Sequence, residues 1–496
     1  MLGPVSRFAA LAAALLTATP VSALDFPTND SDALSSIVKQ ISNGVVEFDV
    51  EDYYGPGPGL FRDPYTWTES ATAWDSLVGY WYLTGDTTHN AAVQTALVGQ
   101  LGPALDYLPP NQSLHMSNWR QSSWALAALS AAERGLPVES ESENVTSWKD
   151  LARDAFDTQV PRWDDTTCGG GLRTDIFMFG DEYNSKDSLS QSTFFLLAAR
   201  LARFTGNQTY VDLAARAYDW MREVKLIDDD FAVYYNASTT QNCSQVDDTQ
   251  WSQAAAAIAY GSAVLANITS STEWADRTTS HVEHILNHFF PSNVLTEPAC
   301  KDASTDYYCW GEAHAAEAST LRWLALVPVF QPSTYDSIHA ALAATAKAAA
   351  DACTATDGGA SASCKGLWSV SDDDDDDDDE QFEDDDPRTD VPRNATIGLG
   401  QQVVALEALQ AAGFILSSAD GVNASFVLRT ANGTTATTTT TLSSNGDAST
   451  STGSASGASG TQTGAAAAGG LLRAASSAWG SLVVAGLVGF ATAVLV

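Results

Sequence analysis

The sequence predicts an all-α protein, an (α/α)6 barrel, and three observations support this fold class. Apolar residues recur at i, i+3, i+4 spacing in most of twelve segments, which is the period of a helix packed on one face. Strand-like alternation is scarce, and short strands are expected only near Phe231–Tyr235. Two segments, Tyr82–Thr88 and Arg203–Thr209, repeat a hairpin signal in which Gly ends one helix and Asp or Asn caps the next. Twelve helices joined as hairpins can close into a double ring.

The helices follow one another along most of the chain, and their composition separates inner from outer members. Residues 251–265 are rich in Ala and uncharged, which fits an inner helix, whereas residues 272–290 carry Glu, Asp, Arg and His and fit an outer one. The predicted helices cover residues 31–48, 66–84, 88–107, 119–134, 146–159, 187–205, 208–225, 249–266, 272–290, 312–328, 333–352 and 399–413.

The two ends of the chain predict export and attachment to a membrane. Residues 1–23 have the charge, the apolar run and the small-residue cleavage site of a secretory signal. Residues 429–470 are rich in Ser, Thr, Gly and Ala, so a disordered, O-glycosylated stalk is expected. Residues 471–496 end in an apolar run without a following Lys or Arg, which is typical of a glycosylphosphatidylinositol (GPI) signal. The alternative for this tail is a true membrane helix.

The net charge of -37 argues against nucleic acid as a partner, because a phosphate backbone would be repelled over most of the surface. Thirteen acids lie in Asp372–Asp386, within an expected insert at 371–393. This run predicts a solvated, disordered loop. Weak calcium binding is the alternative, although the run lacks the alternating ligands and turn Gly of an EF-hand loop. We expect no cofactor, and we expect the protein to be a monomer.

Cysteines and sequons agree with an exported chain. The six cysteines predict disulfides, and the short spacings suggest the pairs Cys300/Cys309 and Cys353/Cys364, which leaves Cys168 with Cys243. The seven scattered histidines give no metal signature, and His281, His284 and His288 are expected on a solvated helix face. Asn242 starts a sequon of doubtful use because Cys243 follows it; N-glycosylation is predicted at Asn29, Asn111, Asn144, Asn207, Asn236, Asn267, Asn394, Asn423 and Asn432.

Several motifs in order resemble those of one family. Two of these motifs, TCGGGLR and YLPPNQ, are specific to the family when they occur in combination. The segments that carry the resemblance are Pro64–Glu69, Gly79–Thr88, Asp106–Gln112, Pro161–Asp164, Thr167–Arg173, Gln250–Ser252, Arg322–Trp323 and Gly398–Gln402. This string resembles the fungal cell-wall mannan endo-1,6-α-mannosidases of glycoside hydrolase family 76, over roughly residues 30–415. The resemblance implies an (α/α)6 domain at 24–428, secretion, frequent GPI anchoring, and retaining chemistry on α-1,6-mannan or transfer of GPI-linked glycoproteins to the wall.

The chain departs from the family at the catalytic dyad that the resemblance implies. The family has a Gly-Asn-Asp-Asp-Gln block there, and its paired Asp residues are the catalytic carboxylates. Asn118, Gln121 and Trp124 keep the register, so that Trp119 and Arg120 stand at the two dyad positions. Neither side chain is a carboxylic acid, and Arg remains protonated at any relevant pH. No catalytic carboxylate of the dyad is therefore retained.

Other carboxyls are weak substitutes in the sequence. The adjacent pairs Asp164-Asp165 and Asp247-Asp248 are interpreted as caps or loop residues. The residues expected to line the substrate cleft, by their place in matched motifs, are Glu69, Tyr107, Trp119, Arg120, Trp124, Gly170, Arg173 and Trp251. Three hypotheses remain open: a mannosidase or transglycosidase, a catalytically silent protein that binds mannan or GPI glycan through Trp119 and Arg120, and a structural wall protein.

Overall fold

The computed structural model describes residues 23–24, 26–27, 30–48, 58–61, 65–138, 145, 147–300, 309, 312–366, 398–419, 427–429 and 435–437. The predicted signal, the acidic run and the apolar tail lie outside these residues, as does most of the stalk. Within the described part, no helix combines the length and the apolar character needed to cross a bilayer.

Every predicted helical segment contains a helix in the described residues. Their bounds are α1 Ser31–Val46, α2 Trp67–Thr84, α3 Asn90–Gly99, α4 Asn118–Arg134, α5 Trp148–Gln159, α6 Ser188–Thr205, α7 Gln208–Glu223, α8 Ser252–Thr269, α9 Thr272–Phe289, α10 Glu312–Phe330, α11 Tyr335–Asp351 and α12 Leu399–Ala419.

The even-numbered helices form a closed inner ring. Each packs on the next, from α2 through α4, α6, α8, α10 and α12, and α12 packs back on α2. The odd-numbered helices lie outside: α3 packs on α2, α5 on α4 and α6, α7 on α6, α9 on α8, and α1 and α11 on α12. This arrangement confirms the predicted (α/α)6 barrel.

Burial distinguishes the two rings as the composition predicted. In α8, every residue from Ser252 to Leu265 is buried, so the helix has apolar or small residues on all sides. In α9, the buried residues follow one stripe that includes Trp274, Ile285 and Phe289. The inner ring therefore supplies the core, and the outer helices cover it with one face each.

Glycine ends three of the inner helices. Gly85, Gly135 and Gly206 take the left-handed conformation after α2, α4 and α6, where a side chain would be strained. Asn207 then caps α7 as expected by accepting the backbone N–H of Thr209. The equivalent Asp86 likewise accepts the N–H of Thr88, but α3 begins only at Asn90. The repeat is thus a hairpin signal with one helix delayed by a turn.

The part of the chain that the structure describes also contains three small antiparallel sheets. The first has the order β1 Ser185–Asp187, β2 Tyr234–Ser238 and β3 Val246–Gln250, with Asp187 opposite Asn236. The second joins β4 Cys353–Thr356 to β5 Ser361–Cys364, and the third joins β6 Val427–Arg429 to β7 Thr435–Thr437. The third sheet overlaps the start of the predicted stalk, so these first residues are paired; the β-branched Thr residues there favour strand.

The three disulfides join the pairs that the spacing suggested. They are Cys168–Cys243, Cys300–Cys309 and Cys353–Cys364, and no cysteine among the described residues is free. The last pair crosses the β4–β5 hairpin at directly opposite positions. Of the predicted glycosylation sites, Asn111, Asn207 and Asn267 are exposed, and Asn236 is half-buried in β2. Asn29, Asn144, Asn394, Asn423 and Asn432 lie outside the described residues.

Candidate active site

The N-terminal ends of inner helices meet around one cavity of about 570 Å³. Residues at the starts of α4, α6, α8 and α10 contribute to its wall, together with the loop that precedes β1 and with β2. The lining residues are Leu114, His115, Ser117, Trp119, Arg120, Asp175, Phe179, Asp181, Glu182, Asp187, Leu189, Tyr235, Trp251 and Glu312. Three of the eight residues predicted for the cleft, Trp119, Arg120 and Trp251, line this cavity.

Trp119 and Arg120 occupy the first turn of α4. Ser117 caps this helix by accepting the backbone N–H of Arg120 at 3.2 Å, which fixes the direction of the chain as it enters. The guanidinium carbon of Arg120 lies 5.0 Å from the centroid of the Trp119 ring, within the range of a cation–π interaction. A flat aromatic group and a fork of N–H donors are thus presented side by side.

Arg120 is surrounded by carboxyl groups from other elements. Its guanidinium lies 3.5 Å from Oε1 of Glu312, the first residue of α10. Asp175 and Glu182 also feel its positive charge, which lowers the pKa of each, although burial raises both on balance. Arg120 and His115 are the basic side chains of the lining, against five acidic ones. Acidic side chains therefore outnumber basic ones in the lining of the cavity.

Glu69 lies beneath the cavity instead of on its wall. It shares with Trp119 and Glu312 the lining of a separate void of about 10 Å³. Its Oε2 accepts the backbone N–H of Thr66 at 2.7 Å in a capping box, and its Oε1 has no hydrogen-bond partner. Burial, and then the negative charge of Glu312, raises the pKa of Glu69 to about 8. Glu69 is therefore a protonated carboxyl near neutral pH.

The 175–187 segment builds one wall of the cavity and supplies four of its acids, Asp175, Asp181, Glu182 and Asp187. We call this segment the carboxyl wall. Met116 and Asn118 pair through their backbones with Ile176 and Thr174, so this segment is held beside the start of α4. Asp175 accepts the backbone N–H of Glu182 at 2.8 Å, which closes the intervening turn. Glu182 in turn accepts the Tyr235 hydroxyl at 3.1 Å.

Asp187 caps α6 and is almost completely buried, yet it touches the cavity. Its side chain accepts the backbone N–H of Ser190 at 3.3 Å. Burial raises the pKa of Asp187 to about 7, with a further rise from Glu182, while hydrogen bonds from Ser190 and Thr174 oppose it. A helix N-terminus ordinarily favours the ionised form, so desolvation dominates here.

Apolar and aromatic side chains form the mouth of the cavity. Trp251 and Tyr235 meet edge to face, with ring centroids 6.4 Å apart. Phe179 stacks on Phe177 at 5.3 Å and is 62% exposed, and Leu114 is 72% exposed. Exposed rings beside hydrogen-bonding groups suit the apolar faces and the hydroxyls of a sugar.

The remaining predicted cleft residues lie away from the cavity. Tyr107 and Trp124 are fully buried and stack on each other at 6.0 Å, and the Trp124 indole donates to the Trp67 carbonyl, so both serve the core. Gly170 passes close to Trp163 and Trp220, where a Cβ would collide. Arg173 pairs with Asp164 at 2.9 Å and donates to the Tyr183 carbonyl. These two residues shape the loop behind the carboxyl wall.

The two Asp pairs have structural positions, as the sequence suggested. Asp164 accepts hydrogen bonds from Thr166 and Thr167 and pairs with Arg173. Despite partial burial, the threonine hydrogen bonds and the charge of Lys186 hold its pKa well below the usual range. Asp247 and Asp248 are exposed on β3. Neither pair lines the cavity.

Sequence reasoning missed the carboxyl wall and Glu312. Asp187 carried a usable signal, because it begins the predicted helix 187–205 as a capping residue of an inner helix. Glu312 likewise starts a predicted helix. Asp175, Asp181 and Glu182 lie in a loop, where acidic residues are common and carry no such signal. Among the described residues, no group of three His, Cys, Asp or Glu side chains could hold a metal ion.

Comparison with known proteins agrees with this architecture. Residues 34–416 match the description of glycosyl hydrolase family 76. The mannan endo-1,6-alpha-mannosidase DCW1 of Candida glabrata is 34% identical over 406 residues, which are 81% of this chain and 84% of that protein. The mannan endo-1,6-alpha-mannosidase DFG5 of Candida albicans is 31% identical over 404 residues, covering 80% and 83% of the two chains.

Solved structures share the fold. Dfg5 from Chaetomium thermophilum, crystallised with glucosamine, superposes with a TM-score of 0.68 at 27% identity, over 78% of this chain and 92% of that one. An alpha-1,6-mannanase from a Salegentibacter species, at 13% identity, shares the fold with a TM-score of 0.56 over 77% and 99% of the chains. The match over residues 34–416 and the identity to several fungal mannosidases show that the chain belongs to glycosyl hydrolase family 76.

Proposed function

We propose that this protein acts on α-1,6-linked mannan, or on the mannose-containing glycan of GPI-linked proteins, by hydrolysis or by transfer. One observation carries the proposal: the cavity at the N-terminal ends of the inner helices joins carboxyl groups to exposed rings. Glycoside cleavage needs one carboxyl as acid and another as base or nucleophile, and sugars bind well against aromatic faces. The fungal relatives are named for this activity.

The proposal requires carboxyls other than the dyad of the family. Trp119 and Arg120 cannot exchange a proton or attack an anomeric carbon under ordinary conditions. For the Salegentibacter mannanase, exchange of two adjacent aspartates for asparagine gives an inactive variant. The chemistry in this protein would therefore fall to the acids that remain around Arg120.

A second candidate function is glycan binding without turnover, and the geometry of Trp119 and Arg120 favours it. The stacked pair offers a ring face together with N–H donors for hydroxyl groups. Such a protein would organise wall glycan without cutting it.

One experiment separates the two candidates. The purified protein is incubated with linear α-1,6-mannan, and new reducing ends and transfer products are measured by chromatography against a heat-inactivated sample. The proposed activity predicts product above that control. Binding of α-1,6-mannotriose in calorimetry without any product would establish the second candidate, and absence of both would exclude the two together.

We also propose that the protein is exported and held at the outer cell surface or wall. The signal at 1–23, the stalk at 429–470 and the tail at 471–496 support a GPI anchor, with the 24–428 domain outside the membrane. Release of the protein from intact cells by a phosphatidylinositol-specific phospholipase is expected. Retention after this treatment, together with membrane extraction only by detergent, would favour a membrane helix.

A further inference from the structure

The carboxyl wall contains two acids, Glu182 and Asp187, that line the same cavity as the two positions of the absent dyad. Asp187 ends β1 and lies opposite Asn236 of β2, next to Tyr235. The Tyr235 hydroxyl donates to Glu182, so Glu182 and Asp187 are connected through one neighbouring strand. Both line the cavity, and each feels the charge of the other or of Arg120.

We propose that Asp187 is the acid–base catalyst and Glu182 the nucleophile of this cavity, in place of the absent dyad. This inference rests on the proposed glycan-cleaving function. It differs from the mechanism implied by the family resemblance because both residues lie on the 175–187 segment and the start of α6, and neither lies on α4.

The two carboxyls differ in their surroundings, as the two members of an acid–base pair do in enzymes that cleave glycosides. Asp187 is buried and holds its proton up to about pH 7. Glu182 is exposed; burial of its carboxyl and the charges of Asp175 and Asp181 raise its pKa on balance, while the Tyr235 hydroxyl and the Arg120 cation oppose that rise and favour the ionised form. The acidic groups facing them are Asp175 and Asp181; Lys186 points away, into the 164–170 loop.

The reaction balances in two steps. In the first, the Asp187 proton moves to the glycosidic oxygen, the bond between that oxygen and the anomeric carbon breaks with its electron pair leaving on oxygen, and a Glu182 oxygen bonds to the anomeric carbon. In the second, Asp187 takes a proton from water or a sugar hydroxyl, the freed oxygen bonds to the anomeric carbon, and the ester electron pair returns to Glu182. Water gives hydrolysis, and a sugar hydroxyl gives transfer.

The variants that test this assignment preserve the structural roles of both residues. Asp187→Asn keeps the helix cap, because Asn and Asp cap equally well. Glu182→Gln keeps an acceptor for Tyr235. Asp30→Asn is the matched control, because it makes the same change at the N-cap of α1, which lies outside the cavity. Unfolding temperatures of all variants are expected within a few degrees of the unmodified protein.

Turnover of linear α-1,6-mannan is then measured from pH 4 to 9. We expect Asp187→Asn and Glu182→Gln to lose at least about 100-fold in kcat, and Asp30→Asn to lose nothing. Asp187→Asn should also lose the fall in rate above about pH 7 that its own ionisation imposes on the unmodified protein. On a dinitrophenyl α-1,6-mannobioside, whose leaving group needs no proton, Asp187→Asn should recover most of the rate. Glu182→Ala with azide should form a mannosyl azide.

The outcomes separate this inference from the proposed function. Product from the unmodified protein, combined with near-normal turnover by Asp187→Asn or Glu182→Gln, would overturn the assignment and leave the proposed activity standing. Loss of rate without recovery on the activated substrate and without an azide product would also overturn it, because a purely structural role gives that pattern. No product from the unmodified protein would overturn both.

Discussion

Charged side chains are buried in two regions of the inner ring, and the two regions treat them differently. Farther along the inner helices, Arg322 lies between Asp75 and Glu407, with 2.7 Å from its Nε to Glu407, and Arg200 pairs with Glu133 at 2.8 Å. These groups are almost fully buried and each carboxylate faces a guanidinium. At the cavity, the lining holds five acidic residues but only two basic ones, Arg120 and His115.

Burial of charge therefore serves two purposes in one ring. Ion pairs inside the ring offset the free-energy cost of desolvating their charges, and they fix the register of neighbouring helices. At the cavity, burial and then neighbouring carboxylates raise the pKa values of Asp175, Glu182 and Asp187, as is common at sites that act on a ligand. Imbalance at one place and balance at the other therefore indicate which region works on a ligand.

The largest effect is expected from breaking the internal network. Arg322→Met would leave Glu407 buried without its cation and Asp75 with only Arg134, 3.6 Å away, and should lower the free energy of unfolding by about 3–5 kcal/mol. Chemical denaturation at pH 7 measures this loss. Lys347→Met, which removes an exposed pair with Asp351, is the control and should cost about 0.5 kcal/mol or less. Equal effects of the two variants would contradict the comparison.

A smaller effect of opposite sign is expected beneath the cavity. Because the folded-state pKa of Glu69 is raised to about 8, its contribution to stability is present at acidic pH and is lost as the pH rises toward 8. Glu69→Gln keeps the capping-box hydrogen bond and removes this loss. At pH 8 the variant should be more stable than the unmodified protein by about 1–3 kcal/mol, and at pH 4.5 nearly equal to it.

Thermal unfolding at several pH values tests that prediction. Glu273→Gln, on the exposed face of α9, should leave the pH dependence unchanged. A pH profile that Glu69→Gln does not flatten would show that Glu69 is ionised in the folded protein.

The smallest effect is expected from removing the cation of the cavity. Arg120→Met takes away the partner of Glu312, but the adjoining cavity lets solvent screen the carboxyl, so a loss of about 1 kcal/mol is expected at pH 7. The loss should shrink at pH 5, where more of the acids are protonated. Denaturation curves at both pH values measure it; a cost as large as that of Arg322→Met would show that the two regions are alike.

Much of the fold could be predicted because it depends on local pattern. Helical spacing located the twelve helices, and the uncharged Ala-rich α8 could be assigned to the inner ring from composition alone. The early end of α3 could not be predicted, since residues 100–107 also carry apolar residues at helical spacing, while the structure ends that helix at Gly99. Two cysteine pairs could be predicted from their short spacings, and the third consists of the two cysteines that were left.

The site was harder, because it depends on which distant segments meet. Trp119, Arg120 and Trp251 could be placed at the cavity from motif position. Tyr107 and Trp124 lie in equally specific motifs, yet their rings stack in the core, and a motif does not tell a core aromatic from a cleft aromatic. Glu182 and Glu312 are far apart in sequence, and only the closed ring brings both near Arg120.

The Cys168–Cys243 disulfide has a consequence for local opening of the chain. The residues Asp175, Asp181, Glu182, Asp187 and Tyr235 all lie between these two cysteines, within one covalent loop. Such a loop limits the conformations that its segment can reach when it detaches, so subglobal opening of this wall is disfavoured. Amide hydrogen exchange in the 175–187 segment should therefore be faster when the Cys168–Cys243 disulfide is reduced. Reduction of this disulfide should loosen the carboxyl wall before the helical ring unfolds.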